Sequence, residues 1–194
     1  MRILSGNLKG SKILTNSTKV KGSESFTTRP TSDRVKETLF NIIQHGFNID
    51  FSKVSFLDSF SGSGAVGLEA ISRGSSKVSF LDKDCAACQC ITKNMASFNL
   101  YENDQSNCFK ILNRDFFDKS LYFNNKFDVV FLDPPYQLVK AREVFMRLKE
   151  LKVTKINTLI IYESNSELVG INGLKICKSR RIGKTHLNFF KVAN

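Results

Sequence analysis

The hydrophobic rhythm of the chain changes twice, and each change marks a part. Over residues 1–12 short apolar positions alternate with Arg2, Lys9, Lys12 and two glycines, which predicts a small twisted hairpin or arm too short to own a core. Residues 15–25 are rich in Ser, Thr, Lys and Asn and read as a loop. Thr28-Arg29-Pro30-Thr31-Ser32-Asp33 then reads as a turn and a helix start, with Thr31 as N-cap. Val35, Leu39, Ile42 and Ile43 follow at helical spacing, and that helix is expected to end by Gly46.

From residue 54 strands and helices alternate. Apolar runs at 54–58, 77–81, 108–112, 127–132 and 157–162 predict buried strands, and helical patterns lie between them at 65–73, 84–98 and 138–151. The last of these helices turns Val139, Val144, Phe145 and Leu148 inward. Repeated βα units imply a parallel sheet covered by helices on both faces. The ending differs: 174–178 and 186–192 read as two strands joined by Arg180, Arg181 and Lys184 around Gly183, an antiparallel hairpin closing a parallel sheet. The expectation is a basic arm over 1–27 and one α/β domain over 28–194, with no internal repeat.

Composition narrows the class. A chain of 194 residues with 41% hydrophobic content supports one domain with a real core. No apolar run approaches the roughly 18 residues of a membrane span, and the first six residues turn polar too quickly for a signal peptide, so a cytoplasmic protein is expected. Five cysteines are an odd number without framework spacing, as in a reducing compartment. Cys85-Ala86-Ala87-Cys88 has no second pair, and neither His45 nor His186 lies near it in sequence, so no metal is expected.

Charge adds a direction. The net charge of +11 is segregated: residues 1–36 hold eight Lys or Arg against two acids, residues 175–194 hold six against none, and the stretch between holds fifteen against sixteen. A neutral domain with cationic ends favours a phosphate backbone as partner over an anionic membrane or an acidic protein.

The chemistry begins after the first predicted strand, at Asp58-Ser59-Phe60-Ser61-Gly62-Ser63-Gly64-Ala65-Val66-Gly67. Gly62 and Gly64 allow a tight turn and close backbone approach to a ligand at a helix N-terminus, and Gly67 allows close packing of helix on strand. Phe60 lies inside this loop and is counted with it as cofactor-binding. The second strand ends in Asp82, twenty residues past Gly62, where an acid can accept from both hydroxyls of a ribose. Two cofactor classes share this geometry, a dinucleotide and S-adenosylmethionine. A pyrophosphate would need the helix N-terminus, where a carboxylate four residues before the first glycine is awkwardly placed. Asp58 is that carboxylate, and it suits a cationic cofactor without phosphate. Asp115 after the third strand is either an acceptor for an adenine amino group or an exposed turn acid beside Arg114.

The fourth strand ends in Asp133-Pro134-Pro135-Tyr136. Proline fixes φ near −65°, lacks an N–H and pushes the preceding residue away from helix. The carbonyls are thereby left to accept from a ligand beside the Asp133 carboxylate, with Tyr136 able to stack on a flat group. Such a set fits the planar amino group of a base; the plain alternative is a turn that uses proline as a stop. In an open α/β sheet, ligands bind beyond the carboxyl ends of the strands, which is where Asp58, Asp82, Asp115 and Asp133 all fall. Like charges in one crevice repel, so the arrangement makes sense around a cationic cofactor and a donor-bearing base.

With these residues in view, the chain resembles the bacterial 16S ribosomal RNA (guanine(966)-N2)-methyltransferases, which act on the loop of small-subunit helix 31. The resemblance is carried by Arg2-Ile3-Leu4-Ser5-Gly6 with Lys9-Gly10, by Thr28-Arg29-Pro30-Thr31-Ser32-Asp33-Arg34-Val35-Lys36-Glu37-Thr38-Leu39-Phe40-Asn41, by the glycine loop, by Glu69-Ala70-Ile71-Ser72-Arg73-Gly74 and by Asp133 to Tyr136. Asp82 stands where the family usually has Glu, and Ser59 and Ser61 replace a more apolar strand end.

The resemblance implies a Rossmann-like S-adenosylmethionine methyltransferase fold with a mostly parallel seven-stranded sheet. It also implies methylation of a guanine N2 amine in 16S rRNA, within an assembling small subunit, by a monomer. Asp133, Pro134 and Tyr136 then carry catalysis, and Asp58, Phe60, Gly62, Gly64, Asp82 and Asp115 hold the cofactor. Arg2, Lys9, Lys12, Arg29, Lys178, Arg180, Arg181 and Lys184 are expected to converge beside the rim and grip rRNA phosphates. The competing readings are an adenine-N6 methyltransferase on DNA or RNA, a catalytically inactive nucleic-acid-binding module with the same shell, and, last, a dinucleotide oxidoreductase.

Overall fold

The computed structural model describes residues 1–15, 32–101, 108–135, 139–168 and 170–192. Five strands run parallel, β1 (Ser55–Ser59), β2 (Lys77–Asp82), β3 (Cys108–Asn113), β4 (Phe127–Leu132) and β5 (Thr154–Ser164). β6 (Leu174–Ile182) and β7 (Thr185–Val192) form an antiparallel hairpin, and β7 pairs antiparallel with β5. The seven-stranded order is β3-β2-β1-β4-β5-β7-β6, so strand order reverses between β1 and β4. That reversal opens a crevice at the carboxyl ends of β1 and β4, the usual ligand position in such sheets.

Both faces are covered at the centre of the sheet, which is why β1, β2 and β4 are buried along nearly their whole length rather than alternating. On one face the core gathers residues of α1 (Asp33–Asn41), α2 (Ala65–Ser72), α3 (Cys85–Ser97) and the N-terminal hairpin around Phe56, Phe80, Phe131 and Phe189. On the other, α4 (Ala141–Glu150) supplies Val144, Phe145 and Leu148 against Leu57, Val130, Leu132, Ile160 and Phe190. Successive residues of β4 and β5 alternate between the two cores, as the two-residue period of a strand requires.

The helices begin and end on local chemistry. Ser32, rather than Thr31, caps α1: its side chain accepts from the Val35 N–H at 3.3 Å, while Thr31 lies outside the described residues. The helix widens into a π turn over Ile42–Gly46 before it stops. α3 is capped by Asp84, which accepts from the Ala86 N–H at 2.9 Å. α4 starts at Ala141, three residues later than its pattern predicts, after the extended N-cap Lys140. No helix among the described residues is long and apolar enough to cross a membrane.

The N-terminal hairpin closes through the Arg2↔Lys12 bridge and the Ile3 N–H to Ser11 carbonyl bond of 3.0 Å. It has no core of its own; Ile3 and Ile13 are buried in the core of the domain. Its polar anchor is Glu69, wholly buried in α2. The carboxylate accepts from the N–H groups of Leu4 at 2.8 Å and Ser5 at 3.0 Å and from Arg73 Nε at 3.0 Å, and Lys36 Nζ lies 3.5 Å away. Lys36, equally buried, also donates to the Arg2 carbonyl. Burial lowers its pKa, against the opposing pull of Glu69.

Candidate active site

The glycine loop is built by the strand before it and the helix after it. Asp58, at 2% exposure, accepts from the Gly67 N–H at 2.8 Å. Gly67 is the third residue of α2, and the N-cap Gly64 has no side chain to offer, so a carboxylate delivered from β1 caps this helix instead. A pyrophosphate has no such vacancy to enter, in agreement with a cofactor free of phosphate. Gly67 also permits the close approach expected of it: a Cβ there would stand 2.2 Å from the Phe80 ring of β2. Ser61, the departure from an apolar strand end, ties the two strands together. Its hydroxyl donates to the Asp58 carbonyl at 2.6 Å and accepts from the Leu81 N–H at 2.9 Å.

Phe60 has φ +62°, a left-handed conformation uncommon for a bulky residue. The kink brings its ring to 5.1 Å from that of Phe116. Together with Leu81, Asp82, Asp115, Phe117, Pro135 and Val139, these rings line a cleft beside the ends of β2 and β4. Asp82 accepts from the Gly62 N–H at 2.8 Å and the Asp84 N–H at 2.9 Å, which fixes its carboxylate at the edge of that cleft. Asp115 is exposed at the cleft, with one oxygen on the Phe117 N–H at 2.8 Å. It is therefore both the turn acid and a cleft-lining acceptor.

The Asp58 carboxyl is pushed well above the usual carboxylate range. Burial is the main cause, the Gly67 N–H opposes it, and Asp133 and Asp82 reinforce it by repulsion. Asp82 is raised as well, again chiefly by burial. These shifts connect Asp58 electrostatically with both Asp82 and Asp133. Asp133 follows β4 with its N–H 3.5 Å from the Ser59 carbonyl, so it stands directly beside the end of β1. Pro134 is buried and Pro135 half-buried. Of the two proline carbonyls, that of Pro135 accepts from the Val139 N–H at 3.3 Å, so it is engaged in the turn rather than left for a ligand. Tyr136 lies outside the described residues.

The predicted basic residues are not all brought together. In the sheet register Leu132 pairs with Tyr162, Glu163 with Leu187, and Leu187 with Arg180. Arg181 pairs with His186 beside Ser164, and Lys184 lies in the turn beyond. Arg180, Arg181 and Lys184 are therefore exposed at the same end of the sheet as Asp133, with Lys178 lower on the same edge strand. The N-terminal hairpin goes elsewhere. Its tip follows Asn7 and Leu8, whose N–H groups bond to Ser72 at 2.8 and 2.9 Å, at the far end of α2. Lys9 is thus at the opposite end of the sheet, and exposed Arg2 and Lys12 face each other along the stem. Arg29 lies outside the described residues.

Two buried polar residues to which the sequence assigns no role, Glu69 and Asn94, fix the hairpin in place. Asn94, wholly buried in α3, accepts from the Leu14 N–H at 2.7 Å and donates to the Leu14 and Ser63 carbonyls at 3.1 and 3.0 Å. It thereby joins the end of the hairpin to the glycine loop. Glu69 had a visible signal, a lone acid inside the otherwise apolar run of α2; Asn94, on a mixed helix, had none. Among the described residues no group of three or more His, Cys, Asp or Glu side chains is placed to hold a metal.

Comparison with known proteins places this geometry. A family model described as conserved hypothetical protein 95 matches residues 1–191. The ribosomal RNA small subunit methyltransferase D of Haemophilus influenzae is 35% identical over 167 residues, 86% of this chain and 80% of that one. Its Escherichia coli K12 counterpart of the same name is 30% identical over 174 residues, 90% of this chain and 77% of that one. Among solved structures, a Haemophilus influenzae protein described as a methylase superposes with a TM-score of 0.75 at 28% identity, covering 100% of this chain and 98% of that one. With a family model spanning nearly its whole length and relatives at 30% identity or more over most of theirs, the chain belongs to the conserved hypothetical protein 95 family, that of the small-subunit ribosomal RNA methyltransferases D.

Proposed function

We propose that this protein transfers a methyl group from S-adenosylmethionine to the exocyclic N2 amine of a guanine in 16S rRNA. The observation that carries the reading is the juxtaposition of Asp133 with the end of β1, where Asp58 and the glycine loop stand, at the point where strand order reverses. The residues present fit the cofactor. Asp58 fills the helix N-terminus that a phosphate would require, Asp82 is fixed where a ribose can bond to it, and the aromatic cleft beside it suits an adenine. When bound, S-adenosylmethionine supplies an electrophilic methyl group on a sulfonium.

The remaining work belongs to this chain's own residues. A guanine amine is a poor nucleophile because its lone pair is delocalised into the ring. Acceptance of its two N–H bonds by the Asp133 carboxylate and the Pro134 carbonyl favours a pyramidal nitrogen with its lone pair turned to the methyl group. Tyr136 stacks on a base taken out of its own stack. The nitrogen gains the methyl and loses a proton that it holds only weakly once positively charged. No covalent nucleophile is required; orientation and electrostatics supply the gain.

The phosphates nearest the target are held by Arg180, Arg181 and Lys184 on the β6–β7 turn, with Lys178 behind them. Arg2, Lys9 and Lys12 form a second, more distant contact. The protein acts as a cytoplasmic monomer on an assembling small subunit. Tritiated-methyl transfer onto small subunits lacking the modification, followed by nucleoside analysis, tests the reading. N2-methylguanosine is expected, with naked 16S rRNA a poorer acceptor than the particle. N6-methyladenosine would redirect the assignment to the adenine enzymes, and no transfer with retained RNA binding would leave an inactive binding module.

A further inference from the structure

We propose that Arg147 is a positioning residue for the cofactor cleft, acting through the backbone of residues 116–121; the proposal rests on the assignment of that cleft to the methyl donor. Arg147 lies in α4, and its side chain is only 11% exposed. Its Nε donates to the Phe116 carbonyl at 3.1 Å, and its Nη2 donates to the carbonyls of Asp118 at 2.6 Å and Leu121 at 3.5 Å. Nη1 pairs with Glu150 at 3.1 Å, on the exposed side.

Three carbonyls from one loop converge on one guanidinium. The loop after β3 forms no strand or helix; its own bonds are the short turns from Phe117 and Asp118 back to Asp115 and from Leu121 back to Asp118, with the Asp118 side chain taking Arg114 and Ser120, and none of these reaches another layer of the fold. Yet this loop carries Asp115, Phe116 and Phe117 into the cleft. Phe116 is buried to 2% exposure and supports Phe60, whose left-handed backbone belongs to the glycine loop. Contact runs from Arg147 through Phe116 to Phe60, and so from α4 to the glycine loop. Pro135 and Val139, which precede α4 in the chain, line the same cleft. One helix therefore follows closely on one set of lining residues and fastens another.

Arginine is the side chain suited to this task. Its five N–H donors are spread over a rigid planar fork, whereas lysine carries its three donors on one atom and cannot reproduce bonds made from both Nε and Nη2. A purely structural arginine would move stability and leave ligand affinity alone. A positioning one moves affinity for the adenosine part of the cofactor.

The test is titration calorimetry of S-adenosylhomocysteine and of adenosine with the full chain and with Arg147→Met and Arg147→Lys, alongside amide hydrogen exchange over residues 115–121. Loss of the charged hydrogen bonds is expected to weaken both ligands about ten- to a hundred-fold in Arg147→Met and less in Arg147→Lys, with faster exchange in the loop. At saturating cofactor, kcat is expected to stay within about twofold, because the Asp133 side of the site is untouched. Wild-type affinity in a folded Arg147→Met protein overturns the proposal; should that variant fail to fold, wild-type affinity in Arg147→Lys with unchanged exchange overturns it. Absence of binding by the unaltered protein would instead refute the cofactor reading on which the proposal rests.

Discussion

Both hairpins of this molecule are basic, yet they are secured in different ways and their turns lie at opposite ends of the sheet. The N-terminal hairpin is locked to α2 by buried polar chemistry: Glu69 takes the Leu4 and Ser5 N–H groups, Ser72 takes Asn7 and Leu8, and Lys36 holds the Arg2 carbonyl. The C-terminal hairpin is an extension of the sheet, held by its ladder to β5, with its charges exposed on the edge strand. Only the second brings its cationic turn to the end of the sheet where Asp133 stands. Segregated charge thus favours a polyanionic partner but does not say where in the fold the charges lie. Register and buried anchors do.

The difference between the hairpins is most easily broken at Glu69. Glu69→Ala leaves Lys36 without its counter-charge in the core and two amides without acceptors, and is expected to destabilise the fold by about 3–5 kcal/mol, read from urea unfolding. A loss below about 1 kcal/mol would mean that Glu69 is not the hairpin's anchor.

Next in size is RNA affinity. Arg180→Glu with Arg181→Glu should weaken binding about tenfold or more and lower the slope of log affinity against log salt by about 1 for each phosphate no longer held. Lys9→Glu, at the other end of the sheet, should cost clearly less. Equal effects from the two hairpins would erase the distinction drawn between them.

The smallest effect concerns pH. Asp58 is raised in the folded state, so above the ordinary aspartate value of about 3.9 the native protein holds a proton that the unfolded chain has released. Stability must then fall as pH rises from about 4 towards the raised folded value, and Asp82 contributes with the same sign. Asp58→Asn is expected to flatten the pH dependence of the urea midpoint in cofactor-free protein; an unchanged slope would contradict the burial argument.

The central strands were legible because burial on both faces leaves nearly unbroken apolar runs, and β4 was read to the residue. The glycine loop and Asp133 were legible because they punctuate strand ends. What sequence could not supply was long-range placement. Glu69 meets residues 64 and 65 positions away, Arg147 meets the Phe116 carbonyl 31 positions away, and Asn94 bridges Leu14 and Ser63. None of these pairings leaves a periodic trace. The engaged Pro135 carbonyl and the left-handed Phe60 are equally silent, since backbone direction at a turn depends on what it packs against.

Methyl transfer at Asp133 is tested most directly by nucleoside analysis of unmodified small subunits incubated with cofactor and either the unaltered protein or Asp133→Ala. N2-methylguanosine is expected with the former and none with the latter, although Asp133→Ala still binds S-adenosylhomocysteine. N2-methylguanosine formed by Asp133→Ala at a comparable rate would contradict the role given to this carboxylate.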